Sequence, residues 1–342
     1  MDIMKVYRRS FIMTKKILDF SAVPVALRVE RHQLKVWNGN ILAASIPVED
    51  IGCVLLAHPS IVVSLATVQD FIKENVPTIF CDSRSLPIGI CYSAFTHTEC
   101  ASLHQLQARE YSSKPLHNRV WRQIVRAKIR AQAALLKLVR QDDGGLLALC
   151  EEVKRGDELN REATAARRYW RLLFEGRGFK RDQEGTDPIN AALNYGYALV
   201  RAIVARSIVS VGLTPTLGTF HHNKYNPYAL ADDLMEPLRP VVDVCVYRLD
   251  QENALKDGLT VSVKNRLQCQ LLGRYRINGA RRNLFETTVQ IAESYVKVLR
   301  KQLKELDFPV DMPLEPVEFC DPFVWKTPEN PETEKEEKKP PF

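Results

Sequence analysis

Near residue 98 the spacing of apolar residues changes from two to between three and four, and this switch constrains what the 342-residue chain can fold into. Before it, from Lys15 to about Ser93, short alternating runs such as Leu27/Val29 and Leu34/Val36 read as strands, with Asn38-Gly39-Asn40 as a turn. Further strand-like runs follow at 52–56, 78–81 and 88–92. One helix interrupts them, opened by Ser64 as N-cap and ended at Asn75 before Pro77. After it, helical patterns occupy 99–111, 116–141, 157–174, 188–211, 227–246 and 282–306. The pattern predicts an α+β chain: a small N-terminal β-rich domain over 13–98, then a larger all-α domain over 99–310. Residues 1–12 are read as an extension outside the fold. The stretch 327–342, with five Glu, three Lys, four Pro and one aromatic, is read as a disordered acidic tail.

Composition excludes several other classes. Hydrophobic residues at 45% and charged residues at 26% are globular values. The most apolar run, Ala198 to Leu213, is interrupted by Arg201 and Arg206, so it reads as a buried helix and not a membrane span. The basic opening lacks the apolar core and cleavage site of a signal peptide. Eight scattered cysteines, none in zinc-ribbon spacing, read as small buried hydrophobes of a cytoplasmic protein rather than as a disulfide framework.

The formal net charge of +7 is modest, but it is unevenly placed. Between Lys114 and Gln141 there are eight basic residues and no acid. On a helix Arg119, Arg122, Arg126, Arg130 and Lys137 fall near one face, while Trp121, Ile124, Val125, Leu135 and Leu136 face a core. A second basic stretch holds Arg161, Arg167, Arg168, Arg171, Arg177, Lys180 and Arg181, and a third holds Arg274, Arg276, Arg281 and Arg282. Any one is an ordinary solvated face. Three in one domain point to a polyanion, with nucleic-acid backbone as the natural partner.

Against this background two carboxylate sites are informative. Glu162 begins a helical segment with Ala165-Ala166 and Tyr169-Trp170. Further on, a loop with His221 and His222 precedes a segment carrying Asp232, Asp233 and Glu236, in which Asp233 and Glu236 are spaced to share a helix face. Histidine with two or three carboxylates is a hard-ligand set suited to Mg²⁺ or Mn²⁺. The same residues also serve as helix caps, ion-pair partners or core hydrogen-bonding groups, and spacing does not choose between these readings.

At these residues the chain resembles the integrase subunit of CRISPR adaptation, the Cas-one family, in its type II form. Three motifs carry the resemblance: the Glu162 helix; Asp187-Pro188-Ile189-Asn190-Ala191-Ala192-Leu193-Asn194, similar to an Asn-rich helix behind the family's active site; and Gly218-Thr219-Phe220-His221 followed by Leu230 to Pro240. The resemblance implies a metal-dependent DNA endonuclease and integrase, with Glu162, His221 and Glu236 as catalytic metal ligands. Asp233 is then an accessory carboxylate, His222 the weaker claimant to the histidine role, and Asn190 and Asn194 supporting residues.

The implied reaction is transesterification, in which the 3′-hydroxyl of a short captured duplex attacks a phosphodiester at a CRISPR repeat. Arg119, Arg122, Arg126, Arg130, Arg167, Arg168, Arg177 and Lys180 would hold double-stranded DNA. The resemblance further implies a homodimer joined through the β-rich domain and a second adaptation subunit, Cas-two, as partner. A general metal-dependent nuclease of branched DNA and a non-catalytic DNA scaffold are the competing expectations.

Overall fold

The computed structural model describes residues 15–82, 87–93, 99–220, 224–317 and 323–324. The N-terminal extension and the acidic tail read from the sequence lie outside these residues, as do His221 and His222.

The alternating segments form β1 (Lys16–Phe20), β2 (Ala26–Glu30), β3 (Gln33–Asn38), β4 (Ile41–Pro47), β5 (Ile51–Leu56) and β6 (Val62–Val63). Helix α1 (Leu65–Lys73) and strands β7 (Thr78–Cys81) and β8 (Pro87–Cys91) complete this region. Gly39 and Asn40 close the β3–β4 hairpin, with Gly39 at φ +57°, a conformation that favours glycine. Ser64 caps α1 as the sequence suggests, its hydroxyl accepting from the Thr67 amide.

The helical region runs α2 (Cys100–Glu110), α3 (Lys114–Arg140), α4 (Leu146–Glu151), α5 (Arg161–Leu173), α6 (Pro188–Ser210), α7 (Ala229–Met235), α8 (Arg239–Gln251) and α9 (Val261–Leu271). A hairpin, β9 (Tyr275–Ile277) and β10 (Ala280–Arg282), precedes α10 (Leu284–Leu299), and β11 (Phe323–Val324) returns to the first sheet. That sheet has the order β11-β1-β5-β7-β8, parallel except for the β7–β8 pair; β4-β3-β2-β6 forms a second sheet.

Strand β5 is buried throughout and separates two cores by alternation. Cys53 and Leu55, with Ile17 and Ile79, join the helical core; Val54 and Leu56, with Leu18 and Phe20, join a smaller core with Leu27, Leu34, Val36 and Phe71. Helix α6 is buried on nearly every side, which accounts for its continuous apolar run. Among the described residues no helix is long and apolar enough to cross a membrane.

The structure differs from the sequence reading in four places. The helix expected over 227–246 is broken into α7, a 3₁₀ turn at Glu236–Leu238, and α8, because Pro237 and Pro240 lack the amides that a continuous helix needs. The region is not purely helical: Asn278 and Gly279, both at positive φ, turn the β9–β10 hairpin, which carries Arg276, Arg281 and Arg282. The final helix ends at Leu299 instead of 306. Cys269 is disulfide-bonded, whereas Cys53, Cys150 and Cys245 are the buried free thiols the sequence suggests.

Candidate active site and nucleic-acid surface

Glu162 is the second residue of α5, and its position follows from how that helix begins. Gly156 and Asp157, both at positive φ, turn the chain so that the Asp157 carboxylate accepts from the amides of Arg161 and Glu162, each at 2.9 Å. Asp157 thus caps α5, and Glu162 sits in its first turn, where the helix dipole favours negative charge.

Glu236 reaches the same place from the break after α7. Its carboxylate is buried, with Oε2 2.6 Å from Lys128 Nζ and Oε1 2.9 Å from an Arg239 guanidinium nitrogen. Lys128, on α3, also places Nζ 2.5 Å from Glu162 Oε1. The two glutamates singled out in the sequence therefore face one another across one ammonium. Burial depresses the Lys128 ammonium, but the charges of Glu236 and Glu162 outweigh it and hold its pKa above the ordinary value. Arg239 follows the same pattern: burial lowers its pKa, and chiefly Glu236 more than restores it.

Behind Glu236 lies a polar stack. The Arg239 and Arg181 guanidiniums lie over the Tyr197 ring at 4.7 Å and 5.3 Å. Arg181 is held by Asn190 Oδ1 at 2.8 Å and Asn194 Oδ1 at 2.6 Å. Asn190 also donates to the Lys180 carbonyl and to Asp187. The Asn-rich helix is thus connected to Glu236 through Arg181, Tyr197 and Arg239. The Tyr197 and Tyr169 hydroxyls donate to the fully buried Asp243.

Asp233 lies one turn before Glu236, whose amide donates to the Asp233 carbonyl, but the two carboxylates have different partners. Asp233 Oδ2 accepts from the amides of Thr219 and Phe220 at 2.5 and 2.9 Å, and the Phe220 ring stacks on Trp121 of α3 with centroids 3.9 Å apart. The residues just before His221 are thereby fixed over α3. Asp232 is instead paired with Arg201 at 2.6 Å.

Among the described residues no three His, Cys, Asp or Glu gather as a metal site. Two buried or half-buried carboxylates spanning one cation nevertheless offer hard oxygen donors of the kind that suit Mg²⁺ or Mn²⁺. Their reach to Nζ, 2.5 and 2.6 Å, is only somewhat longer than a Mg–O bond of about 2.1 Å. The donor set fits a divalent ion, with the histidine of the resemblance outside the described residues.

Arg119, Arg122, Arg126 and Arg130 line one groove of about 830 Å³, joined by Arg155 and Lys304, and Pro237 beside Glu236 forms part of its wall. The acid missing from this stretch of sequence arrives from α4: Glu151 pairs with Arg126 at 2.5 Å and Arg130 at 3.6 Å. Arg122 donates to the Val153 carbonyl. Exposed Arg167 and Lys180 line a second cleft, of about 510 Å³, with Trp170 and Phe179. Arg168 donates to the Gly144 carbonyl, and Arg177 is paired with Asp250 at 3.1 Å. Lys128 and Arg239 were not among the residues singled out for the site. The signal for Lys128 was its phase, since it falls on the same stripe of α3 as Trp121, Ile124, Val125 and Leu135.

The family model for CRISPR associated protein Cas1 matches residues 23–278. The chain belongs to the Cas1 family. It is 33% identical to the CRISPR-associated endonuclease Cas1 of Neisseria meningitidis over 300 residues, 86% of this chain and 95% of that one, in keeping with the type II resemblance. The fold is shared with a casposase bound to integration product, at TM-score 0.73, 22% identity and coverage of 90% of this chain and 96% of that one. It is also shared with a Cas6-RT-Cas1–Cas2 complex, at TM-score 0.67 and 17% identity over 85% of this chain and 35% of that one. The fold class read from periodicity, a β-rich region followed by a helical one, is the one these structures share.

Proposed function

We propose that the chain is a metal-dependent DNA integrase and endonuclease of CRISPR adaptation, acting in the cytoplasm and inserting short duplexes at repeats. The observation that carries this reading is the meeting of Glu162 and Glu236 across one cation, at the wall of an arginine-lined groove. A scaffold would have no need to bury an acidic pair beside its DNA surface, where the pair costs desolvation and occupies cations that could otherwise meet phosphate.

In this reading Glu162, Glu236 and His221 hold Mg²⁺ or Mn²⁺. The chemistry such an ion supplies is a lowered pKa for the attacking 3′-hydroxyl and a counter-charge for the phosphorane-like transition state. Asp157 orients Glu162, and Arg239 on the Tyr197 ring orients Glu236. Asp233 and Trp121 fix the start of the loop that brings His221, whose imidazole is either a ligand or the group that moves a proton at the leaving oxygen. The arginine groove and the Arg167–Lys180 cleft bind backbone phosphates and position the duplex without reading its sequence.

A Cas2 partner is supported by the assembly in which the similar Cas1 fold occurs. Homodimer formation through the β-rich region is supported by the apolar residues Ile41 and Leu42, exposed on the edge strand β4. The test is strand transfer of a labelled duplex into a repeat-bearing plasmid, with and without the Cas2 partner. E162A and E236A are expected to lose joined product and keep duplex affinity. Joined product at the wild-type level would refute the assignment, and metal-dependent cleavage with no joined product under any partner condition would favour the branched-DNA nuclease.

A further inference from the structure

Lys128 is an unusual residue for its place. Helix α3 presents Trp121, Ile124, Val125, Ile129 and Leu135 to the core, and Lys128 lies on that side with its side chain only 12% exposed. An ammonium brought so far out of water is costly unless it is paired, and here it is paired twice, with Glu162 and Glu236. Among the described residues the cluster, with Arg239, holds two negative and two positive charges and is balanced.

The two cations are not equivalent. The Arg239 guanidinium is fixed between Glu236 and the Tyr197 ring. Lys128 ends a flexible four-carbon stem, and its Nζ occupies the seat between the carboxylates. A divalent ion bound to both glutamates and an ammonium within 3 Å of the same oxygens repel strongly, so the two exclude one another.

We propose that Lys128 is a displaceable counter-ion: it occupies the cation seat between Glu162 and Glu236, sets the affinity for divalent metal by competition, and swings out when metal enters. The proposal rests on the reading of these glutamates as metal ligands. Displacement leaves the metal and Arg239 against two carboxylates, so a balanced cluster becomes positively charged when loaded. The loaded site then attracts a phosphodiester, while the metal-free site offers it no net attraction. Lys128 thereby ties metal entry to the arrival of an anionic substrate.

The experiment measures Mn²⁺ binding by electron paramagnetic resonance and calorimetry on the full chain. K128M, which keeps the stem and removes the charge, should bind Mn²⁺ about tenfold or more tightly than wild type, because a competing unit charge at contact distance is gone. K128R, which keeps the charge, should stay within about threefold of wild type. Unchanged or weaker binding by K128M, with wild type still binding, overturns the counter-ion role and leaves the metal site standing. Absence of Mn²⁺ binding in wild type and variants overturns both.

A measurement on wild type alone removes dependence on variant folding. Amine-reactive labelling read by mass spectrometry should modify Lys128 weakly without metal and several-fold faster with saturating Mn²⁺. Lys264, buried and paired with Asp19, should not change. Labelling of Lys128 that is indifferent to Mn²⁺ contradicts displacement.

Discussion

The Arg239 guanidinium lies 4.7 Å from the centre of the Tyr197 ring and connects the buried carboxylate of Glu236 to the helix behind it. A guanidinium so placed is constrained on two sides, and it constrains the acid in turn. R239A should therefore lower the rate of strand transfer by about tenfold or more and destabilise the fold, by less than the roughly 3–5 kcal/mol of a wholly unpaired buried charge because Lys128 still meets Glu236. R239K should recover part of the rate, because charge returns without the planar fork. Initial rates and denaturation midpoints check both, and a wild-type rate in R239A would remove Arg239 from the site.

Asp243 predicts a pH dependence. Burial raises its pKa from 3.8 to about 6, against hydrogen bonds from Tyr197 and Tyr169 and the charge of Arg239, which pull it down. Between these values the folded chain holds a proton that the unfolded chain has lost. The contribution to stability is complete below the unfolded value, falls as pH rises and is gone above about 6. It amounts to roughly 2–3 kcal/mol. Denaturant unfolding from pH 4 to 7 should show this decline in wild type and its absence in D243N relative to wild type. Parallel curves for the two proteins would contradict it.

Asp233 tests how the His221 loop is placed. D233A leaves the Thr219 and Phe220 amides without their acceptor, which costs about 1–3 kcal/mol and loosens the segment before His221. Strand transfer should fall while duplex affinity stays within about twofold, because Asp233 lines neither the arginine groove nor the aromatic cleft. An unimpaired rate in a folded D233A would show that the loop needs no such anchor.

The two basic surfaces differ in how far their charge is already used. Exposed Arg167 and Lys180 line the aromatic cleft, whereas Arg177 is paired with Asp250. In a salt titration of duplex binding, R167A and K180A should each reduce the slope of log affinity by about one, and R177A by less. Equal slopes for all three would mean that internal pairing does not decide which cations meet phosphate.

The parts of this architecture that were legible in the sequence are those fixed by local chemistry. Ser64 announces α1, the Gly39 turn announces a hairpin, and Glu162 and Glu236 stand out as acids among arginines. Local pattern also stops short. The spacing of Asp233 and Glu236 puts them one turn apart, as found, but spacing does not say that one carboxylate caps the Thr219 and Phe220 amides while the other meets Lys128 and Arg239. The Asn278-Gly279 turn carried a hairpin signal inside a segment whose neighbours are helical. In the sequence Lys128 is one of the eight basic residues between Lys114 and Gln141, and only its phase on α3 sets it among core residues. What no local pattern holds is the pairing of distant elements, such as β11 returning to β1 or Glu151 of α4 meeting Arg126 of α3.

If Glu162 and Glu236 work as a single site, strand-transfer rates of the two single variants and of the double variant will show it. E162Q and E236Q should each lose about a hundredfold or more, and the double variant should lose no more than the worse single one, as for residues that act as a unit. A single variant that retains the wild-type rate, or losses that multiply in the double variant, would contradict it.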